Sequence, residues 1–124
     1  MAVSAKLEAR VKELFSGLGN IRIRRILGGA GIYCDDLMFG LIDPDEVVYL
    51  RAEGVIATAL AAEGSSPFTY SRNGRKMSMG FWRMPRSSWR NRDEAELWAT
   101  RSLALAAAER RDRPAAVAGR RARA

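Results

Sequence analysis

Between Arg24 and Leu50, in RRILGGAGIYCDDLMFGLIDPDEVVYL, the apolar positions fall into three short runs separated by two polar breaks. Asp35-Asp36 fits a two-residue hairpin loop, because aspartate tolerates left-handed backbone. Asp43-Pro44-Asp45-Glu46 fits a four-residue turn, with Pro44 pre-set for the position after the turn opens. These turns set Cys34 opposite Leu37, Ile32 opposite Phe39, Leu41 opposite Val48 and Phe39 opposite Leu50. Strand side chains alternate with period two. One face is therefore expected to carry Ile32, Cys34, Leu37, Phe39, Leu41, Val48 and Leu50, a core face. The other carries Gly31, Tyr33, Met38, Gly40, Tyr49 and Arg51, a mixed one.

The flanking segments supply what covers such a sheet. Leu7, Val11, Leu14, Phe15 and Leu18 recur at helical spacing, with Ser4 placed to cap the helix and Gly17 and Gly19 to end it. Ile21-Arg22-Ile23-Arg24 alternates as a half-buried strand. A middle helix is predicted over 53–63 from Val55, Ile56, Ala59 and Leu60, stopped by Gly64. Phe68 to Trp82 reads as a hairpin around Asn73-Gly74, the preferred type I′ pair. Its register puts Arg72 opposite Arg75, Tyr70 opposite Met77 and Phe68 opposite Met79. The face with Phe68, Tyr70, Met77, Met79 and Phe81 is expected to be core. A last helix starts at Asp93 as cap. Its face holds Leu97, Trp98, Arg101, Ala104, Leu105 and Ala108, with Arg101 at the margin. The fold class that follows is α+β and two-layered: an antiparallel sheet of about five to six strands packed with N-terminal, middle and C-terminal helices. Residues 1–111 form the domain. Residues 112–124, in DRPAAVAGRRARA, show no amphipathic face and read as a disordered, arginine-rich tail.

The charge changes this picture less than its size suggests. The 124 residues carry a formal +7, but residues 110–124 alone hold six arginines against one acid, so the body is close to neutral. No apolar run is long enough to span a bilayer, and the N-terminus breaks into charges at once, so the expected location is the cytoplasm. Histidine is absent and Cys34 is the lone cysteine. That removes an intrachain disulfide, a thiolate cluster and the commonest neutral-pH base. No cofactor, metal site or enzymatic activity is expected. Gly28, Gly29 and Gly31 follow a strand, but an extended run rather than a helix comes next. A tight turn or bulge explains them better than a phosphate cradle.

RRILGGAGIY, MFGLI, VVYLRA and PFTYSRNGRKMSMGFWRMP, taken in order, resemble the TfoX N-terminal domain, found in the Sxy/TfoX regulators of bacterial competence. The likeness runs over roughly residues 14–108 and matches Arg24, Arg25, Gly28, Gly29, Gly31, Tyr33, Phe68, Tyr70, Gly74 and Trp82. It implies a sheet with helices packed on it, no catalytic residues, and a regulatory role. Full-length members promote transcription of competence genes, in some bacteria alongside the cyclic-AMP receptor protein, and carry a second, C-terminal domain.

Two contact chemistries follow. The first is a protein partner, from the transcription machinery or its regulators, on the mixed face: Tyr33, Tyr49 and Arg51, joined by Arg22 and Arg24. Tyrosine and arginine dominate interfaces when central. The second is nucleic acid, held by the tail and by Arg72 and Arg75 at the hairpin tip. Pairing of two copies through an exposed sheet edge is a further expectation.

Overall fold

A computed structural model describes residues 3–26 and 28–112, apart from the side chains of residues 72, 76–79 and 112. Ser4 caps α1 (Ala5–Leu14), its hydroxyl accepting from the Leu7 N–H at 3.1 Å. A single turn at Ser16–Leu18 leads into β1 (Ile21–Ile26), β2 (Gly29–Cys34), β3 (Leu37–Ile42) and β4 (Val48–Arg51). Then come α2 (Val55–Ala62), the hairpin of β5 (Pro67–Arg72) and β6 (Arg75–Arg83), a turn at Arg86–Trp89, and α3 (Arg92–Asp112). The six strands form one antiparallel sheet in the order β1-β2-β3-β4-β6-β5. This is the α+β arrangement expected, with N-terminal, middle and C-terminal helices.

All three helices lie on one side. Val11 and Leu14 of α1, Leu60 of α2, and Ala95, Trp98 and Ala99 of α3 share a single core with Ile32, Phe39, Ile42, Val48 and Leu50 of the sheet. Phe15 meets Phe39 edge-on, ring centroids 5.5 Å apart. Arg25 fastens α1 to the sheet edge through Glu8 at 2.6 Å and the Val3 carbonyl at 2.5 Å.

Three turn readings hold. Asp35 and Asp36 take φ of 48° and 68°, and Asn73 and Gly74 take 53° and 78°, as left-handed two-residue loops require. Arg72 faces Arg75 and Tyr70 faces Met77. Gly28 turns β1 into β2 with φ 83°, and a Cβ on Gly29 would sit 2.3 Å from the Ile42 carbonyl oxygen. A positive φ at Gly28 and close backbone approach at Gly29 therefore account for that glycine pair.

The register inside the first three strands differs from expectation. The loop after β3 spans five residues, not four, because Asp43 Oδ1 gathers the N–H groups of both Asp45 and Val47 at 2.9 Å and Val48 pairs with Ile42. A bulge at Phe39 then sets Tyr33 opposite Met38 but Ile32 opposite Gly40. Phe39 stays in the core, yet Leu41 moves to the opposite face, Ile42 takes its place, and Gly40 joins the core side.

Three further expectations change. A second irregularity, between Pro67 and Thr69, sets Pro67 opposite Trp82 and Thr69 opposite Ser78. Trp82, not Phe81, then packs toward the helices, while Phe68 and Phe81 lie on the other face. The last helix is capped by Asn91, whose Oδ1 accepts from the Glu94 N–H at 3.1 Å, while Asp93 sits in the first turn. Its buried stripe is Ala95, Trp98, Ala99 and Ser102, with Leu97 half exposed, because small residues let the helix lie flush on the sheet. In α2, Val55 is exposed and Leu60 is the buried anchor. α3 continues through Asp112, and the segment 113–124, expected to be disordered, lies outside the described residues. Among the described residues no helix is long and apolar enough to cross a membrane.

Candidate functional site: the open face of the sheet

The corrected register defines the face turned away from the main core, which among the described helices only the end of α3 touches, through Glu109 on Arg51. Row by row it carries Arg24, Gly31, Leu41, Tyr49 and Arg83, then Arg22, Tyr33 and Met38, then Arg51 and Phe81. Leu41 and Phe81 are largely shielded by neighbouring side chains but belong to no part of the main core. Tyr33, Met38, Tyr49 and Phe68 are half-buried. The result is an apolar, aromatic centre with arginines on both sides.

Each ring has a defined seat. Gly31 leaves the room in which the Tyr33 ring lies, since a Cβ there would come within 2.8 Å of Tyr33 Cε1. The Arg24 guanidinium covers that ring at 5.9 Å from its centroid. Tyr49 meets Phe68 edge-on at 5.0 Å. Burial first, then the Asp43 carboxylate, push the Tyr49 phenol above its ordinary value, and Arg83 offsets part of that shift. Tyr49 is therefore an uncharged phenol at neutral pH, a hydrogen-bonding group and an apolar surface rather than a base.

The candidate residues separate into three groups. Arg22, Arg24, Tyr33 and Tyr49 do share one face; Arg22 is exposed and sits 3.7 Å from Asp36, a weak solvated pair. Arg51 starts from the same face but is spoken for. Its side chain is 14% exposed, bonded to Glu109 of α3 through Nε at 3.0 Å and through Nη2, to the Gly80 carbonyl at 2.7 Å and to Glu53 at 3.1 Å, above the Phe81 ring. It clamps the end of α3 to the sheet. Arg75 is exposed at the tip of the β5–β6 hairpin, at the sheet edge opposite Arg22 and Arg24, and does not join them; the Arg72 side chain lies outside the described residues.

Sequence reasoning missed Leu41, Phe68, Phe81 and Arg83 as members of this face. For Arg83 a signal existed, since it alternates with Phe81 along β6, but placing it needed the pairing of β4 with β6, a contact between strands distant in sequence.

Cys34 is 1% exposed and its Sγ lies 3.7 Å from the Leu18 carbonyl. Burial first, and Asp35 second, push its thiol above the ordinary value, away from the reactive thiolate. Among the described residues no group of three or more His, Cys, Asp or Glu side chains is placed to hold a metal ion.

Residues 13–106 match the TfoX N-terminal domain. The chain is also 29% identical over 90 residues to Protein Sxy of Escherichia coli (strain K12), an alignment that takes in 73% of this chain and 43% of that protein. The chain thus spans less than half the length of this curated relative.

Proposed function

We propose, starting from the fact that the chain belongs to the TfoX N-terminal domain family, that it is a non-enzymatic regulatory module acting by protein–protein contact through the open face. Competence and transcription regulation is the setting the family relationship suggests. The observation that carries the reading is the face itself: Tyr33, Leu41 and Tyr49 form an apolar centre that none of the chain's described helices covers, rimmed by Arg22, Arg24 and Arg83. An aromatic and methionine centre with an arginine-bearing rim is the composition of protein interfaces. A sheet face of this kind is ordinarily closed by a second layer.

The test is affinity capture of the full chain from its native cytoplasm, with and without nuclease, beside a Tyr33→Ala/Tyr49→Ala variant. Expected is one protein partner that survives nuclease and is lost with the variant. Retention of every partner by that variant, its fold checked by circular dichroism, would remove the surface.

The second reading is nucleic-acid binding through the arginines of the tail and the exposed Arg75 at the hairpin tip. It predicts instead that capture disappears with nuclease and with deletion of residues 113–124.

A further inference from the structure

We infer that the open face is closed by an amphipathic α-helix of a partner protein whose apolar stripe is flanked by acidic residues, seated between Arg22 and Arg24 on one side and Arg83 on the other. The inference rests on the reading of this face as the contact surface and adds the chemistry of what it contacts.

Charge supports an acidic occupant. Among the described residues neither Arg24 nor Arg83 pairs with a carboxylate, and Arg22 has only the loose contact with Asp36. Three of the other acids near the face are committed, while exposed Asp45 lies near Tyr49 without an ion pair. Glu53 and Glu109 sit on Arg51, and Asp43 holds its own loop through the Asp45 and Val47 N–H groups. Spacing supports a helix. The two arginine rails stand on β1 and β6, which are four strand steps apart, about 19 Å at 4.8 Å each. A helix with its side chains is about 10–12 Å across, which leaves each rail within reach of a glutamate on its flank. Backbone chemistry also supports it. A segment lying on a side-chain-covered sheet face finds no backbone partners there, and a helix satisfies its own N–H and C=O groups.

The same observations count against the other occupants. A base-stacking platform needs free ring faces, whereas Arg24 covers Tyr33 and Tyr49 is engaged edge-on by Phe68. A second copy set face to face would bring arginine rails together. Residues 113–124 hold four arginines and no acid, so they are repelled by the same rails.

The experiment uses the full chain and synthetic probes of about 18 residues, roughly five helical turns. One peptide has a leucine stripe flanked by glutamates. A second carries lysines in place of the glutamates, a third has a central proline that breaks the helix, and a fourth probe is single-stranded oligothymidine. Amide chemical shifts locate binding and fluorescence anisotropy measures it. Expected is binding of the glutamate peptide alone, with shifts centred on Gly31, Tyr33, Leu41 and Tyr49. Arg24→Glu/Arg83→Glu should weaken it at least tenfold and transfer binding to the lysine peptide. Should that double variant not fold, Arg24→Gln/Arg83→Gln carries the test, weakening the glutamate peptide without the transfer. The inference is overturned if the proline peptide binds as well as its parent, if the oligonucleotide gives the shifts on this face, or if no peptide does. In that last case, capture that still depends on Tyr33 and Tyr49 would leave the contact surface standing without the acidic helix.

Discussion

Gly29 and Gly31, two positions apart, serve different ends in this chain, and their replacement separates them. A Cβ on Gly29 meets a backbone oxygen, Ile42 O, at 2.3 Å, so only movement of the ladder relieves it. Gly29→Ala is expected to destabilise by about 2–4 kcal/mol in chemical denaturation. A Cβ on Gly31 meets the Tyr33 ring, which can swing away. Gly31→Ala should cost roughly 1 kcal/mol or less but unseat Tyr33 from beneath Arg24 and weaken partner capture. Equal losses of stability at the two sites would contradict this division. The sequence showed glycines and therefore a turn or bulge; it did not show that one of them makes room for an interface residue. Arg51 was legible as a member of the mixed face and misleading as a free contact, because its partner Glu109 is 58 residues away. Removing a largely shielded guanidinium strands a carboxylate, so Arg51→Ala should cost about 2 kcal/mol. It should also speed amide exchange through the last turns of α3. Arg51→Ala combined with Glu109→Gln should cost less than the sum of the two, since they break one contact.

At the scale of elements, the boundaries and turn types were readable and the register was not. Asp35-Asp36 and Asn73-Gly74 announce their loops because left-handed backbone has few occupants. The five-residue loop at Asp43 and the bulge at Phe39 depend on which N–H groups a carboxylate gathers and on how the bulky ring fits against Phe15. Neither leaves a trace in alternation. A shift of one residue exchanged Leu41 with Ile42 and so rewrote the open face. The caps make a pH prediction. Glu46 accepts the Ser4 N–H at 2.8 Å, which ties the start of α1 to the β3–β4 loop and holds its carboxyl below the ordinary glutamate value. Glu94 is lowered likewise by the Ser87 and Ser88 hydroxyls. A carboxyl with a depressed folded pKa binds protons more readily when unfolded. Its stabilisation is therefore complete above the ordinary glutamate range and is lost as pH falls through the lowered folded value. Glu46→Gln/Glu94→Gln should accordingly flatten the acid limb of denaturation midpoint against pH, leaving the neutral region parallel to that of the parent chain. An unchanged acid limb would assign acid sensitivity to other groups.

At the scale of the molecule, three helices on one side of a six-stranded sheet complete the main core, and the other side is tied to them only through Arg51 and Glu109 among the described contacts. The division into a core side and a mixed side was legible from period-two alternation; whether a helix covers the mixed side was not, and its composition had to wait for the pairing of β4 with β6. The net charge belongs to neither side but largely to the end of the chain, and that separation can be measured. Nonspecific affinity for duplex DNA depends on phosphates neutralised, each contributing about 0.9 to the slope of log affinity against log salt. Deleting residues 113–124 removes four arginines, so the slope should fall by roughly 3–4. The thermal midpoint should stay put, because α1 to α3 and every strand among the described residues lie before the deletion. A slope that survives deletion would place the polyanion contact on the folded body, where Arg22, Arg24 and Arg83 are the exposed cations of the open face. The protein-contact reading would then have to compete with nucleic acid for the same surface. Loss of the slope with capture of the protein partner intact would separate the two chemistries along the chain, the tail attracting polyanions and the sheet recognising a protein.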